Sequence, residues 1–372
     1  MSNGSSLNAA RPIFITEIEQ FGGAERSVLA LSGWLYRRQL PHYVLTYADH
    51  CNLARYATHP LSVIALNPAG GVRRKVAALK RHFAERGASP VRSLSSGYQP
   101  ALHETLAGRK GFHCLMHDTP SLFSGAGTQS LKGKMRTALS NQVVGWGLRS
   151  GGTTIVTSEY LRGECRKDFR VNAEIARMGG LGEAGQPVPR PVAGELRMLS
   201  VCRIEANKRI DWIIRSLAAL EKGPTPLSSR VNWRLDLAGK GSLIPSLQAM
   251  AAAAGLGDRV VFHGFVSDED LDRMYDKAHL FLMPAIQGYG IPAIESLQRG
   301  IPVLLHRESG VSDILKETPW ATVLHGGEEN MLPAITLAID KVMNGTHHGI
   351  LQPNLPTEES WAERVATLCR WL

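Results

Sequence analysis

Pro284-Ala-Ile-Gln287-Gly288-Tyr289-Gly290-Ile-Pro-Ala-Ile-Glu295-Ser-Leu-Gln-Arg-Gly300-Ile-Pro302-Val is the stretch on which the fold of this 372-residue chain turns. It reads as the end of a buried strand, a glycine turn, the start of a helix and a second short strand. Glu295 is expected in the first turns of that helix, with helical residues running from Glu295 to Arg299. Glycine turns at helix N-termini offer backbone N–H groups and the positive end of the helix dipole, which suits phosphate. A carboxylate beside such a turn can accept from the hydroxyls of an attached ribose. Strand, turn, helix, strand is the grammar of a parallel sheet.

The same order recurs on either side. Arg11–Ile18 predicts a strand, Gly22-Gly23 a turn, and Arg26 onward a helix with Val28, Leu31 and Leu35 on one stripe. Strands are predicted at His42–Tyr47, Leu61–Leu66, Phe112–His117 and Thr153–Ser158, with helices over Lys132–Leu148 and Glu159–Cys165. Gly179–Pro191 is dense in Gly and Pro and predicts a linker. A second series follows: strands at Leu196–Cys202, Trp233–Ala238, Val260–His263, Leu280–Met283 and Pro302–His306, with helices at Asp211–Leu220, Leu243–Ala254 and Asp268–Tyr275. The chain would end in an amphipathic helix over Ser360–Leu372.

Composition narrows the class. Hydrophobic residues make up 44% and charged residues 20%, the balance of a soluble globular enzyme. No apolar run approaches the roughly 18 residues of a membrane span. The polar start, Met1 to Ala10, lacks a secretory pattern and is expected to be a disordered lead-in. Five scattered cysteines without C-x-x-C spacing point to free thiols in a reducing compartment, not to a zinc site. Net charge is +9 and unevenly placed: residues 1–190 carry 24 Lys and Arg against 12 Asp and Glu, residues 191–372 carry 18 against 21. The excess clusters at Arg73-Arg74-Lys75, Lys80-Arg81, Arg86, Arg92, Arg109-Lys110, Lys132, Lys134 and Arg136. Such a face suits anionic lipid headgroups or a phosphorylated acceptor. Nucleic acid is a poor fit, because the cations are not interleaved with aromatics that could stack on bases.

Arg203-Ile-Glu-Ala-Asn-Lys208 after one buried strand, Gly239-Lys-Gly241 after the next, Phe262-His-Gly264, Ala278–Pro284 and the opening stretch together resemble the C-terminal half of retaining glycosyltransferases of family 4, the glycosyl transferases group 1 type. The resemblance runs over the second series; Gly22-Gly23 and His117-Asp118 resemble the same family with weaker specificity. It implies an α/β fold of the GT-B kind, two doubly wound Rossmann-like domains facing across a cleft. The boundaries would be a lead-in over 1–10, an acceptor domain over 11–178, a linker over 179–194, a sugar-nucleotide domain over 195–355 and a C-terminal helix, 356–372, returning to the first domain.

The resemblance also implies roles. Arg203 and Lys208 would neutralise the donor diphosphate, with adjacent Arg209 as a competitor for the second role, and no metal would be needed. Glu295 would accept from the ribose hydroxyls. Gly288, Tyr289 and Gly290 would give backbone contacts to phosphate and sugar. His117 would hold a sugar hydroxyl, and Gly22 and Gly23 would let the first loop approach the diphosphate. The family pattern has two carboxylates seven residues apart; here the first position is Gln287, which keeps hydrogen-bonding capacity but loses charge. The Ala176–Gly182 segment also departs from the family's Pro-Asn-Gly turn. The implied activity is transfer of a hexose from a nucleoside diphosphate sugar, UDP- or GDP-linked, to a hydroxyl of a glycolipid, lipid-linked or polysaccharide acceptor, with no cofactor. A weakened or non-catalytic sugar-nucleotide binder and a nucleotide-sugar epimerase are the alternatives. The expected location is cytoplasmic, at the inner face of an anionic membrane.

Overall fold

The computed structural model describes residues 10–19, 21–86, 92–120, 131–180, 190–315, 318–352 and 354–372. The lead-in over 1–9 and the linker segment 181–189 lie outside the described residues. The chain divides into two compact units, residues 1–178 with 358–372, and residues 179–357.

The first unit is built on a seven-stranded parallel sheet. Its strands are β1 (Arg11–Phe14), β3 (His42–Thr46), β5 (Val63–Ala65), β6 (Leu94–Ser96), β7 (His113–Met116), β8 (Thr154–Val156) and β9 (Glu174–Ile175), in the order β5-β3-β1-β6-β7-β8-β9. β2 (Glu17–Ile18) and β4 (Ala48–Asp49) form a small parallel pair beside it. The helix predicted from Arg26 runs Gly23–Arg37, and Val28, Leu31 and Leu35 are buried as its stripe requires. β6 and the helices Val72–Glu85 and Tyr98–Leu106 were not legible as elements. β6 is three residues long, Leu-Ser-Ser, and two of its buried side chains are hydroxyls. The unit also buries a charge: Glu104 has no exposed surface and accepts from Ser93 Oγ at 2.6 Å and Arg109 Nε at 2.5 Å.

The C-terminal helix, Glu358–Leu368, packs on Gly23–Arg37. Arg37 pairs with Glu359, Arg26 Nε lies 3.7 Å from Glu358, and Arg11 Nη2 donates to Trp371 O at 2.7 Å. Trp361 and Trp371 are both buried, and Trp371 Nε1 donates to Arg92 O at 3.3 Å.

The second unit carries a six-stranded parallel sheet: β10 (Glu195–Val201), β11 (Asn232–Ala238), β12 (Val260–Gly264), β13 (Leu280–Met283), β14 (Val303–His306) and β15 (Ala321–Leu324), ordered β12-β11-β10-β13-β14-β15. Strands covered on both faces read as apolar runs, as Leu-Phe-Leu-Met of β13 does with all four residues buried. One continuous core joins β10, β11 and β13 to the helices Ile210–Lys222, Ile244–Ala253 and Met331–Met343. The last of these helices was missed in the sequence because Pro333 interrupts its pattern. A proline in the first helical turn removes only an N–H that would lack an intrahelical partner anyway.

Candidate active site

In a doubly wound sheet the crevice lies where the strand order reverses, outside the carboxyl ends of the strands. In the second unit that point falls between β10 and β13. The loop after β10 carries Arg203 and Lys208; the loop after β13 carries Gln287–Gly290. Sequence places these segments about eighty residues apart, and the sheet order makes them neighbours.

Backbone hydrogen bonds stitch them together. Ile286 N donates to Asn207 O at 2.9 Å, and Asn207 Nδ2 returns to Ile286 O at 3.1 Å. Gln287 N donates to Glu308 O and Val311 N to Tyr289 O, each at 3.1 Å, which ties in the loop after β14. Ser309 Oγ donates to Tyr289 O at 2.9 Å from a fully buried position. Gly239 and Gly241, after β11, fit against the β10 loop so closely that a Cβ would sit 1.8 Å from Cys202 O and 2.0 Å from Ile204 O. The Gly-Lys-Gly spelling is therefore a packing requirement.

Lys208 Nζ donates to Gln287 Oε1 at 2.7 Å, and Gln287 Nε2 lies 3.0 Å from both Met283 Sδ and Ser309 Oγ. The departure from a carboxylate at position 287 thus sits at the centre of a built network. Arg209, the competitor for the role of Lys208, is instead engaged by Glu308 at 3.2 Å and lies over the Trp212 ring at 4.2 Å. Arg203 is exposed and forms no ion pair among the described residues. That leaves its guanidinium at the surface beside the β10 loop, where a buried-strand ending alone would not have placed it.

The helix after the glycine turn runs Ile291–Gln298, not Glu295–Arg299. Glu295 is consequently in its second turn, beyond the exposed N–H groups of the first. Gly290 caps the helix at φ 122°, with Pro292 in the first turn. The positive φ and a Cβ that would fall 2.7 Å from Gln287 Nε2 and Met283 Cε both require glycine there. Glu295 is 5% exposed and accepts from Tyr275 Oη at 3.2 Å. Burial, and then the Glu295 charge, push the Tyr275 phenol well above its usual range, so it stays a donor. Tyr275 lies twenty residues upstream, and nothing local in the sequence marks it as the partner.

In the first unit, His117 follows β7, and its Nε2 lies 2.9 Å from Ser96 Oγ, at the end of neighbouring β6. Burial pushes the imidazole down to about 4, so it is neutral at neutral pH. Gly22 and Gly23 are exposed at the start of the Gly23–Arg37 helix, and Gly22 N donates to Glu25 Oε2 at 3.1 Å. Burial raises the Glu25 carboxyl above its ordinary value.

Two parallel-sheet units of this kind, each Rossmann-like, define the GT-B fold, and solved structures agree with that assignment. WaaG, a glycosyltransferase involved in lipopolysaccharide biosynthesis, superposes with a TM-score of 0.71 at 16% identity, covering 96% of this chain and 99% of WaaG. HepE of Anabaena, solved in complex with UDP, superposes at 0.68 and 15% identity over 97% and 100% of the two chains.

Residues 187–344 match the model of the family described as glycosyl transferases group 1. An uncharacterized glycosyltransferase of Methanocaldococcus jannaschii is 29% identical over 123 residues, 33% of this chain and 30% of its own length. The GDP-mannose-dependent alpha-(1-6)-phosphatidylinositol monomannoside mannosyltransferase of Mycolicibacterium smegmatis is 27% identical over 185 residues, 47% of this chain and 43% of its own. The chain thus spans less than half the length of these curated relatives.

Proposed function

We propose that the protein is a retaining, metal-independent glycosyltransferase. It moves a hexose from a UDP- or GDP-sugar to a hydroxyl of a glycolipid, lipid-linked or polysaccharide acceptor. The observation that carries this reading is the convergence of the β10, β13 and β14 loops at the reversal of strand order, with Lys208 bonded to Gln287 at the glycine turn and Arg203 on the same β10 loop. Preorganised cations there stabilise the charge that builds on a departing diphosphate. Glu295, oriented by Tyr275, accepts from ribose hydroxyls. Gly288, Tyr289 and Gly290 bring backbone close to phosphate and sugar, as Gly22 and Gly23 do from the first loop. A neutral His117 holds a sugar hydroxyl without adding charge. The acceptor hydroxyl attacks on the face the diphosphate leaves, the leaving phosphate takes the proton, and the anomeric configuration is kept. A relative named as a GDP-mannose-dependent phosphatidylinositol monomannoside mannosyltransferase, and a fold neighbour solved with UDP, support this choice of donor and acceptor class.

The test is incubation with UDP-, GDP-, ADP- and dTDP-sugars and a membrane extract, with detection of released nucleoside diphosphate. Turnover with one donor is expected; silence with all four overturns the reading. The bond between Lys208 and Gln287 favours a second reading, a sugar-nucleotide binder with weakened chemistry, because it holds a cation of the donor site on a neutral partner. Gln287→Glu separates the two: an enzyme changes rate or donor preference, a binder stays inert.

A further inference from the structure

The helix Leu131–Leu148 contains no acidic residue and is cationic at its start, with Lys132, Lys134 and Arg136. Its inner side is fixed by glycines: a Cβ at Gly147 would meet Thr105 Oγ1 at 1.9 Å, and one at Gly145 would meet Phe169 O at 2.7 Å. The opposite side therefore faces water, and it is apolar. Met135 is 67% exposed, Leu139 64% and Trp146 52%. At about 100° per residue these three and Gln142 fall within an arc of roughly 60°, a single stripe along the helix. Trp146 is the one exposed tryptophan of seven. Lys110 Nζ stands 5.8 Å from its ring, and Leu106, 48% exposed, ends the helix packed alongside.

Several other cations of the basic half are already occupied, while Arg73, Lys80 and Arg81 form no ion pair among the described residues. Lys75 pairs with Glu17 and Arg109 with buried Glu104, while Arg92 donates to Gly151 O and Arg86 lies over Tyr43. Lys132, Lys134 and Arg136 form no ion pair among the described residues.

We propose that this stripe is a membrane-docking face that seats on an anionic lipid surface. A helix with protruding Met, Leu and Trp and flanking Lys and Arg lies in the interface, its apolar side chains among the acyl chains and its cations at the headgroups. Apolar contact supplies the insertion, and the acid-free flank supplies attraction that zwitterionic lipid cannot return. The face and the nucleotide loops share no residue, so the proposal stands or falls independently of the catalytic reading.

The test is co-sedimentation of the full chain with phosphatidylcholine vesicles, alone and with about one third phosphatidylglycerol, at low and high salt. Binding is expected on the anionic vesicles only, weakening as salt rises. Brominated lipid should quench tryptophan emission in the native chain and not in Trp146→Phe. Lys132, Lys134 and Arg136 changed together to Gln should weaken anionic binding on the order of 100-fold. Met135→Ser with Leu139→Ser should abolish insertion, with circular dichroism confirming the fold. Absent binding, binding indifferent to lipid charge, or quenching that survives Trp146→Phe overturns the proposal. So does a concentration-dependent dimer that Met135→Ser with Leu139→Ser disperses while lipid binding is unchanged, since the face would then belong to a second copy.

Discussion

The two glycine turns of this chain look alike as strings and differ as structures. Gly22 and Gly23 are exposed, neither has a positive φ, and a Cβ added at Gly23 would meet nothing within 4 Å. Gly290 sits at φ 122° against Gln287 and Met283, and Gly239 and Gly241 press on the backbone of the neighbouring loop. The first turn is adjustable and the second is locked. A locked turn keeps cations and backbone in place before a ligand arrives, which is what electrostatic stabilisation of a leaving group requires.

The contrast can be broken by substitution. Lys208→Ala removes a cation from the locked region and should lower kcat/KM roughly 100- to 1000-fold with little change in melting temperature. An equal loss from Gly23→Ala would erase the distinction. Gly239→Ala should cost about 3 kcal/mol or more in urea unfolding, because backbone clash and a φ of 137° act together. A midpoint unchanged from the native chain would show that the loop relaxes freely.

Acid sharpens the comparison between the units. Burial holds His82, His113 and His117 of the first unit, and His347 of the second, near 4, against an ordinary 6.5. The unfolded chain therefore takes up protons that the folded chain refuses. Stability is retained above about pH 6.5 and lost as pH falls toward 4, up to roughly 3 kcal/mol per imidazole. His117→Gln should flatten this slope between pH 7 and 5; an unaltered slope assigns the sensitivity elsewhere. The smallest effect belongs to the adjustable turn: Gly23→Ala should change stability by no more than about 0.5 kcal/mol, since the position opens a helix where alanine is favoured.

Strand and helix positions in both units followed from apolar runs and glycine punctuation, because burial on both faces of a parallel sheet imprints itself locally. The elements that escaped have physical reasons. β6 buries hydroxyls, the 331–343 helix starts around a proline, and the 291–298 helix opens on a proline-containing turn that masks its beginning. Arg203 and Lys208 were legible as candidates through the family resemblance, and Glu295 also through the glycine turn and helix start beside it. Their partners were not. Tyr275 on Glu295, Ser309 on Gln287 and Ser96 on His117 lie about twenty residues away in sequence, and common residues at ordinary spacing carry no signal.

The sequence by itself determined two parallel-sheet halves and the strand-end position of the charged residues, which depend on periodicity and residue type that each segment carries alone. The missing carboxylate at 287 came from the resemblance to the family's motif. Only the tertiary structure decided that Gln287 is held by Lys208, that Arg209 is engaged by Glu308, and that the acid-free helix turns Met135, Leu139 and Trp146 outward. Those facts depend on which strands become neighbours and which helix face the glycines bury, and neither is written in any single stretch of chain.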